Sequence, residues 1–329
     1  MLNNKNKDVI EEAAVEEEIN MDDPSLFTLQ RADDSASEHI AAPKYSYWGS
    51  VFRRFFSNKL AITMLIIVVA VLLMALIHPM ISHYDNMVTP YINNKAMHYV
   101  RPGVMDGYIF GTDDKGNNLF DALWAGTRQS LFIALAATLI TEVIGIIVGM
   151  FWGFSKKLDV IMIEIYNVIA NIPTILISMV LVFAIGGGYW QLIFALSVTQ
   201  WIHTAYFIRV QVMIIRDREY NLASKCLGTS TTKIIINNIL PYLVSVIITA
   251  VSRDVPSFIS YEVFLSYAGV GLGYDKFSLG KMVQNYAPYM TSASYLFWIP
   301  VAVSAIISIS LYIVGQCLAD ASDPKTHMV

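Results

Sequence analysis

The chain has 329 residues, of which 55% are apolar and 15% charged, well under the roughly 25% charged share of soluble domains. Apolar runs able to cross about 30 Å of hydrocarbon recur along it; this excludes a soluble globular enzyme and predicts an all-α, multi-pass membrane protein. The net charge of −4 hides an asymmetry, because residues 1–43 hold 11 acidic and three basic side chains and the rest of the chain is net positive.

Residues 1–43, with EEAAVEEE and DDSASE, lack the basic region and apolar core of a signal peptide. Their low hydrophobicity and like-charge excess predict a disordered cytoplasmic arm, either a solvated tail or a regulatory one. Residues 44–59 follow, ending in SYWGSVFRRFFSNK. There Phe52, Phe55 and Phe56 alternate with Arg53, Arg54 and Lys59, which suits an amphipathic helix at headgroup level.

Six transmembrane helices are expected within residues 60–318: about 60–81, 130–154, 160–185, 190–210, 240–265 and 295–318. Lys and Arg favour the cytoplasmic side. With the N-terminus inside, the inner segments hold Arg53, Arg54, Lys59, Lys156, Lys157, Arg209, Arg216, Arg218, Lys225, Lys233 and Lys325. Both termini, including the tail 319–329, then lie in the cytoplasm and the protein sits in the plasma membrane. The stretch 82–129, containing FGTDDKGNNLFDALWAGTRQS, becomes a long external loop, expected to form a lid or an elbow helix. The stretch 214–240 becomes a cytoplasmic loop.

The usual signs of a reaction centre do not occur in the sequence. The nearest approach to a phosphate-binding loop, Gly273 to Met282, has the wrong glycine spacing, and Met282 stands where Ser or Thr would hold Mg²⁺. HExxH, CxxC and GxSxG are all missing. The six His are scattered, so no metal site is expected, and Cys226 and Cys317 do not form a disulfide framework. No catalytic residue is assigned, and no cofactor is expected on this chain. Any energy for transport must come from a partner or an ion gradient.

Charged groups at membrane depth are costly and face protein or water. Here they are Glu142, Glu164, Arg253, Asp254 and Glu262. Arg253 and Asp254, being adjacent, point to different helix faces. Asn167 and Asn171 are spaced to share a face, and Pro173 and Pro256 can kink their helices. Two readings stay open: Asn167, Asn171, Arg253, Asp254 and Glu262 line a translocation path, or they make hydrogen bonds between helices.

The segment Asp217–Pro241 is the most informative. It is polar, charged and set between apolar runs. It reads as a short helix, a stop at Gly228, a second turn with Ser230, Thr231 or Thr232 as N-cap, and Pro241 opening the next span. Ala223 and Ser224 are small, and Leu222, Cys226 and Leu227 are apolar at helical spacing. This is either a docking helix or an ordinary interfacial one.

Several motifs bear on that choice. Glu219-Tyr-Asn-Leu-Ala-Ser-Lys-Cys-Leu-Gly228 followed by Ile239-Leu240-Pro241 resembles the EAA loop of ABC importer permeases. Phe110-Gly-Thr-Asp113 with Gly116, Gly126, Arg128, Ser130 and Leu131 resembles an external motif of the second permease subunit of oligopeptide importers. So do SYEVFLSYAGVGLG with Ser278-Leu-Gly280, and the ending Asp320-Ala-Ser-Asp-Pro324. The resemblance covers about residues 45–325 and is nearest to the versions of streptococci and lactic-acid bacteria, implying a Gram-positive source. In this chain Leu222 replaces the triplet's Glu, Ser224 replaces its last Ala, and Asn117 and Asn118 replace a basic–acidic pair.

The resemblance implies the type I ABC importer permease fold, with a cytoplasmic EAA coupling helix. It implies a heterodimer with a homologous permease subunit and two cytoplasmic ATPase subunits that bind ATP and Mg²⁺. An extracellular lipid-anchored binding protein would deliver the peptide, and membrane lipid would surround the assembly; nucleic acid has no part. Coupling would run through Glu219, Leu222, Ala223, Ser224, Gly228, Leu240 and Pro241. The alternatives are a permease for dipeptides, nickel or another small solute, an ion-coupled secondary transporter, and a membrane sensor of peptides.

Overall fold

The computed structural model describes residues 46–323, apart from positions 86, 90 and 274. The expected acidic arm 1–43, the first residues of the interfacial segment and the tail from Pro324 lie outside the described residues. Within them the fold is helical, with one isolated β-bridge between Thr112 and Asn118.

Helix α1 (Tyr47–Ser57) starts at Ser46, whose Oγ accepts the Gly49 N–H at 3.3 Å. Its Val51 and Phe55 are buried against the far end of the last helix, while Trp48, Phe52 and Phe56 face outward. Asn58 ends α1 and caps α2 (Lys59–Ser82) by accepting from Leu60 and Ala61 N–H. After an irregular loop, Asn118 caps α3 (Leu119–Phe154), a helix of 36 residues. It begins well before the expected residue 130, so the loop expected over 82–129 ends at residue 118. The reason is that residues 119–129 are amphipathic: Leu119, Ala122, Leu123, Gly126 and Thr127 are buried while Asp121 reaches His78 of α2 at 2.7 Å. An apolar-run criterion does not register such a segment.

Helix α3 is the spine. Against it lies α6 (Tyr189–Arg216), and the two come together along Gly145, Gly149 and Gly153. A Cβ at Gly149 would stand 2.5 Å from the Ala205 carbonyl oxygen, and one at Gly153 would stand 2.7 Å from that of Arg209. Such spacing of small residues lets two membrane helices approach backbone to backbone. The sequence carries this stripe openly, at i, i+4 and i+8.

Between them in sequence run α4 (Lys156–Ala170) and α5 (Thr174–Ile185), bent by 78° at the break. The single span expected over 160–185 is therefore two helices. Pro173 lacks an N–H to continue α4, and Asn171 is the C-cap residue, whose Nδ2 donates back to the Asn167 carbonyl one turn earlier on the same face. The chain then forms α7 (Glu219–Cys226) and a continuous helical stretch Thr231–Tyr267. Within that stretch α8 (Thr231–Ile234) passes through a π-turn at Ile235–Ile239 and a 3-10 turn at Leu240–Leu243 into α9 (Val244–Tyr267). Pro241 does not open this span; it lies inside it, and the π and 3-10 turns accommodate its missing donor. Pro256 lies within α9, which continues beyond it. Helices α10 (Leu279–Tyr286) and α11 (Ser294–Ser322) complete the fold.

Among the described residues, four helices are long and apolar enough to cross a membrane: Lys59–Ser82, Leu119–Phe154, Thr231–Tyr267 and Ser294–Ser322. The bent pair α4–α5 makes five if counted as one span. Six were expected. The difference is α6, which has 28 residues but carries Gln191, Gln200, His203, Arg209, Gln211 and Arg216.

Candidate coupling helix and membrane polar groups

Helix α7 is fastened from behind by a polar residue that sequence reasoning passed over. Asn221 is 1% exposed; its Nδ2 donates to the Ile215 carbonyl at 2.9 Å, and its Oδ1 accepts from Asn238 Nδ2 at 3.1 Å. Asn238 Nδ2 also reaches Ser224 Oγ at 3.3 Å. The end of α6 and the start of the next span thus hold one face of α7. Two neighbouring positions hold its flank: Tyr220 stacks on Tyr242 with ring centres 6.1 Å apart, and Lys225 Nζ sits 4.8 Å over the Phe154 ring. The only sequence signal for this was an Asn at i and i+17, a spacing that shows nothing until the loop is folded.

The other face points away from the protein. Glu219, Leu222, Ala223, Cys226 and Gly228 are exposed, and Leu227 is 86% exposed. Gly228 adopts φ +78°. Its N–H donates to the Lys225 carbonyl at 2.9 Å and that of Thr229 to the Ser224 carbonyl at 3.0 Å. That pair of bonds is the Schellman stop, which requires a left-handed residue at this position. A Cβ on Gly228 would meet nothing within 4 Å. Ser230 occupies the next N-cap position, but its hydroxyl makes no capping bond. Leu240 is half-buried and Pro241 exposed, so both belong to the root of the element rather than to its outward face.

The membrane-depth groups separate into two sets. Asn167, Asn171 and Arg253 are exposed on this chain. Glu142, Asp254 and Glu262 are buried. Arg253 and Asp254 pair, at 3.1 Å between Nε and Oδ1, though as neighbours on different helix faces they need not. The guanidinium is long enough to curl back, and it also lies 5.3 Å over the Phe207 ring. Asp254 further accepts from Thr204 Oγ1 at 3.4 Å.

Glu262 is 0% exposed and sits at the junction of three helices. Its Oε2 accepts from Ser130 Oγ at 2.7 Å, and its Oε1 accepts from Ser278 Oγ at 2.6 Å and Ser266 Oγ at 3.0 Å. Ser130 Oγ in turn accepts the Leu279 N–H, and Ser278 Oγ accepts the Lys281 N–H, each at 3.1 Å. The carboxylate thus knots α3 and α9 to the first turn of α10. Gly126 and Gly280 bring the helices close enough for this, since a Cβ on Gly280 would fall 2.7 Å from Val263 Cα. Near the other end of α10, Tyr286 OH reaches Asp113 Oδ2 at 3.4 Å. Asp113 also accepts from the Lys115 and Asn117 N–H groups. Burial pushes its carboxyl above the usual carboxylate range, and those backbone donors only partly offset the effect.

Two family models match this chain. Residues 143–328 match the binding-protein-dependent transport system inner membrane component, and residues 46–99 match the N-terminal TM domain of oligopeptide transport permease C. The chain is 50% identical over 305 residues to the oligopeptide transport system permease protein AmiD of Streptococcus pneumoniae, covering 93% of this chain and 98% of that relative. It is 34% identical to the oligopeptide transport system permease protein OppC of Bacillus subtilis, covering 92% and 97%. Among solved structures, an inward-facing form of the MetNI methionine ABC transporter aligns with a TM-score of 0.50 at 19% identity. The alignment covers 61% of this chain and 96% of that one, a likeness of fold alone. The chain belongs to the binding-protein-dependent inner-membrane permeases, in the oligopeptide permease family of OppC and AmiD.

Proposed function

We propose that this protein forms half of the membrane passage of an ATP-driven oligopeptide importer and receives its driving motion at α7. The observation that carries this reading is the construction of α7. A short helix braced by Asn221 and turned outward through Leu222, Ala223, Leu227 and Gly228 has the form of an element that fits a cleft on another protein. Its relatives are named as oligopeptide transport permeases.

In this reading α6 completes a set of six crossings with the four apolar helices and the bent pair. At about 1.5 Å per residue its length spans roughly 40 Å, and its cations are partnered, Arg209 by Asp159 of α4 and Arg216 by the Gly153 carbonyl of α3. The basic residues Lys156, Lys157, Arg216, Arg218, Lys225 and Lys233 put α7 and both termini in the cytoplasm. Two ATPase subunits there hold ATP and Mg²⁺ and grip α7. A second permease subunit supplies the other half of the passage, and an external lipid-anchored binding protein delivers the peptide. Asn167, Asn171 and Arg253, exposed on this chain, are the polar groups placed to face the passage. Asp254 and Glu262 serve as supports behind it.

The test is at Gly228. Gly228→Asn tolerates the left-handed turn and keeps a small surface, so peptide uptake should persist. Gly228→Arg places a long cation on the outward face, so uptake should be lost while the two permease subunits still assemble. Uptake at the normal rate in Gly228→Arg would defeat the assignment.

A further inference from the structure

Helix α4 buries none of its residues. Only Ser155 separates it from α3, so without side-chain restraint it could pivot about that residue. Two side chains fix its angle. Asp159, in its first turn, receives both arms of the Arg209 guanidinium from α6, one of them at 2.9 Å, and the Trp152 indole N–H from α3 at 2.8 Å. Two turns further, Tyr166 stacks on Tyr206 of α6 with ring centres 4.1 Å apart and planes 5° from parallel. Arg209 is itself seated between aromatic faces, 5.5 Å from the ring centres of Trp152 and Tyr206.

The same end of α3 holds α7. Trp152 touches Asp159; the next residue, Gly153, accepts through its carbonyl from Arg216 Nη1 at 2.9 Å; and Phe154 carries Lys225 of α7. Three consecutive residues therefore contact α4 on one side and the α6–α7 corner on the other. The glycine stripe presses α3 and α6 into one stiff block. Beyond α4 lies the 78° bend into α5.

From this arrangement we infer that Asp159 is a positioning residue for transport: it is the joint through which displacement of α7 is passed to the bent pair α4–α5. The inference rests on the reading of α7 as the point where drive enters. A bidentate, charge-assisted pair transmits direction as well as force, because its two parallel bonds resist rotation. Breaking it leaves the glycine contact of α3 with α6 and the bracing of α7 in place and loosens α4, which the Tyr166–Tyr206 stack still holds.

The experiment uses the complex purified by a tag on this chain and reconstituted into liposomes with the binding protein. It measures ATP hydrolysis and uptake of labelled tetra-alanine together. Asp159→Asn should co-purify with ATPase subunits as wild type does and should still hydrolyse ATP, with peptides moved per ATP falling roughly tenfold, within the usual range of coupling between sites. Exchange of the pair, Asp159→Arg with Arg209→Asp, should recover much of that ratio. Arg209→Lys, which keeps the charge and loses the fork, should fall between, and it serves as the test variant should Asp159→Asn accumulate poorly. A spin-label distance from Glu164 to Ile214, both exposed, should broaden in Asp159→Asn. A wild-type ratio of peptide to ATP in Asp159→Asn and Arg209→Lys would overturn the inference. Failure of the wild-type complex to hold any ATPase subunit would instead overturn the reading of α7.

Discussion

Replacing Glu262 separates two roles that its position in the sequence leaves open. As a lining residue it would face a passage; in the structure it is an acceptor shared by three serines. Glu262→Ala removes that acceptor. Ser266 can fall back on the carbonyl one turn earlier. Ser130 and Ser278 are less free, because their oxygens already receive the Leu279 and Lys281 N–H groups. Two buried hydroxyls left without an acceptor cost about 1–3 kcal/mol each, so the loss is about 2–6 kcal/mol before any cavity term. Glu262→Gln keeps the shape and one acceptor oxygen, and its cost should be about 1–2 kcal/mol. Thermal unfolding of the detergent-purified complex reads the order directly, and limited proteolysis near α10 shows where the fold loosens. The expected order is wild type, then Gln slightly below, then Ala far below, with cleavage near Ser278 appearing only in Ala. Glu262→Ala as stable as wild type would refute the reasoning. Glu262→Gln with unaltered stability but changed peptide selectivity would restore the lining role.

At the α3–α6 contact, Gly149→Ala should lower the unfolding midpoint by an amount matching about 1–3 kcal/mol of overpacking, because its methyl would meet the Ala205 backbone. A midpoint in Gly149→Ala unchanged from wild type would show that the packing argument is wrong. Asp113 gives a pH signature. Its carboxyl is raised in the folded protein by burial, so the fold favours the protonated form. This group's contribution to stability therefore falls as pH climbs from the ordinary carboxylate value through the raised one. Asp113→Asn should flatten that part of the stability profile, and an unchanged slope in the variant would contradict the assignment.

Several elements could be read directly from the residues. The apolar runs behind α2 and α11 need no tertiary context, since nothing else explains a stretch such as Leu60–Ile81. The stop at Gly228 was legible because a left-handed position after a short polar helix has few other occupants. Other features depended on partners far away in sequence. The first turns of α3 are amphipathic and pack on α10, so hydropathy missed them. Helix α6 carries polar groups whose partners lie on other helices, as Arg209 does with Asp159 of α4, so its hydropathy is lower than its length alone would suggest. Asn221 reads as an ordinary loop residue until Asn238 is brought against it. The Arg253–Asp254 pair could not be read from helical direction alone, because the Arg253 side chain is flexible enough to curl back to its neighbour. Asp159 gave no signal at all, because its partner Arg209 lies 50 positions away.

The most direct measurement is a photo-crosslinking residue placed at Leu227 in native membranes, with the adduct identified by mass spectrometry. Leu227, the C-cap residue of α7, is 86% exposed. The account predicts a covalent adduct with a cytoplasmic nucleotide-hydrolysing subunit, diminished when Gly228→Arg is introduced beside it. An adduct with an extracellular protein, or with lipid alone, would contradict it.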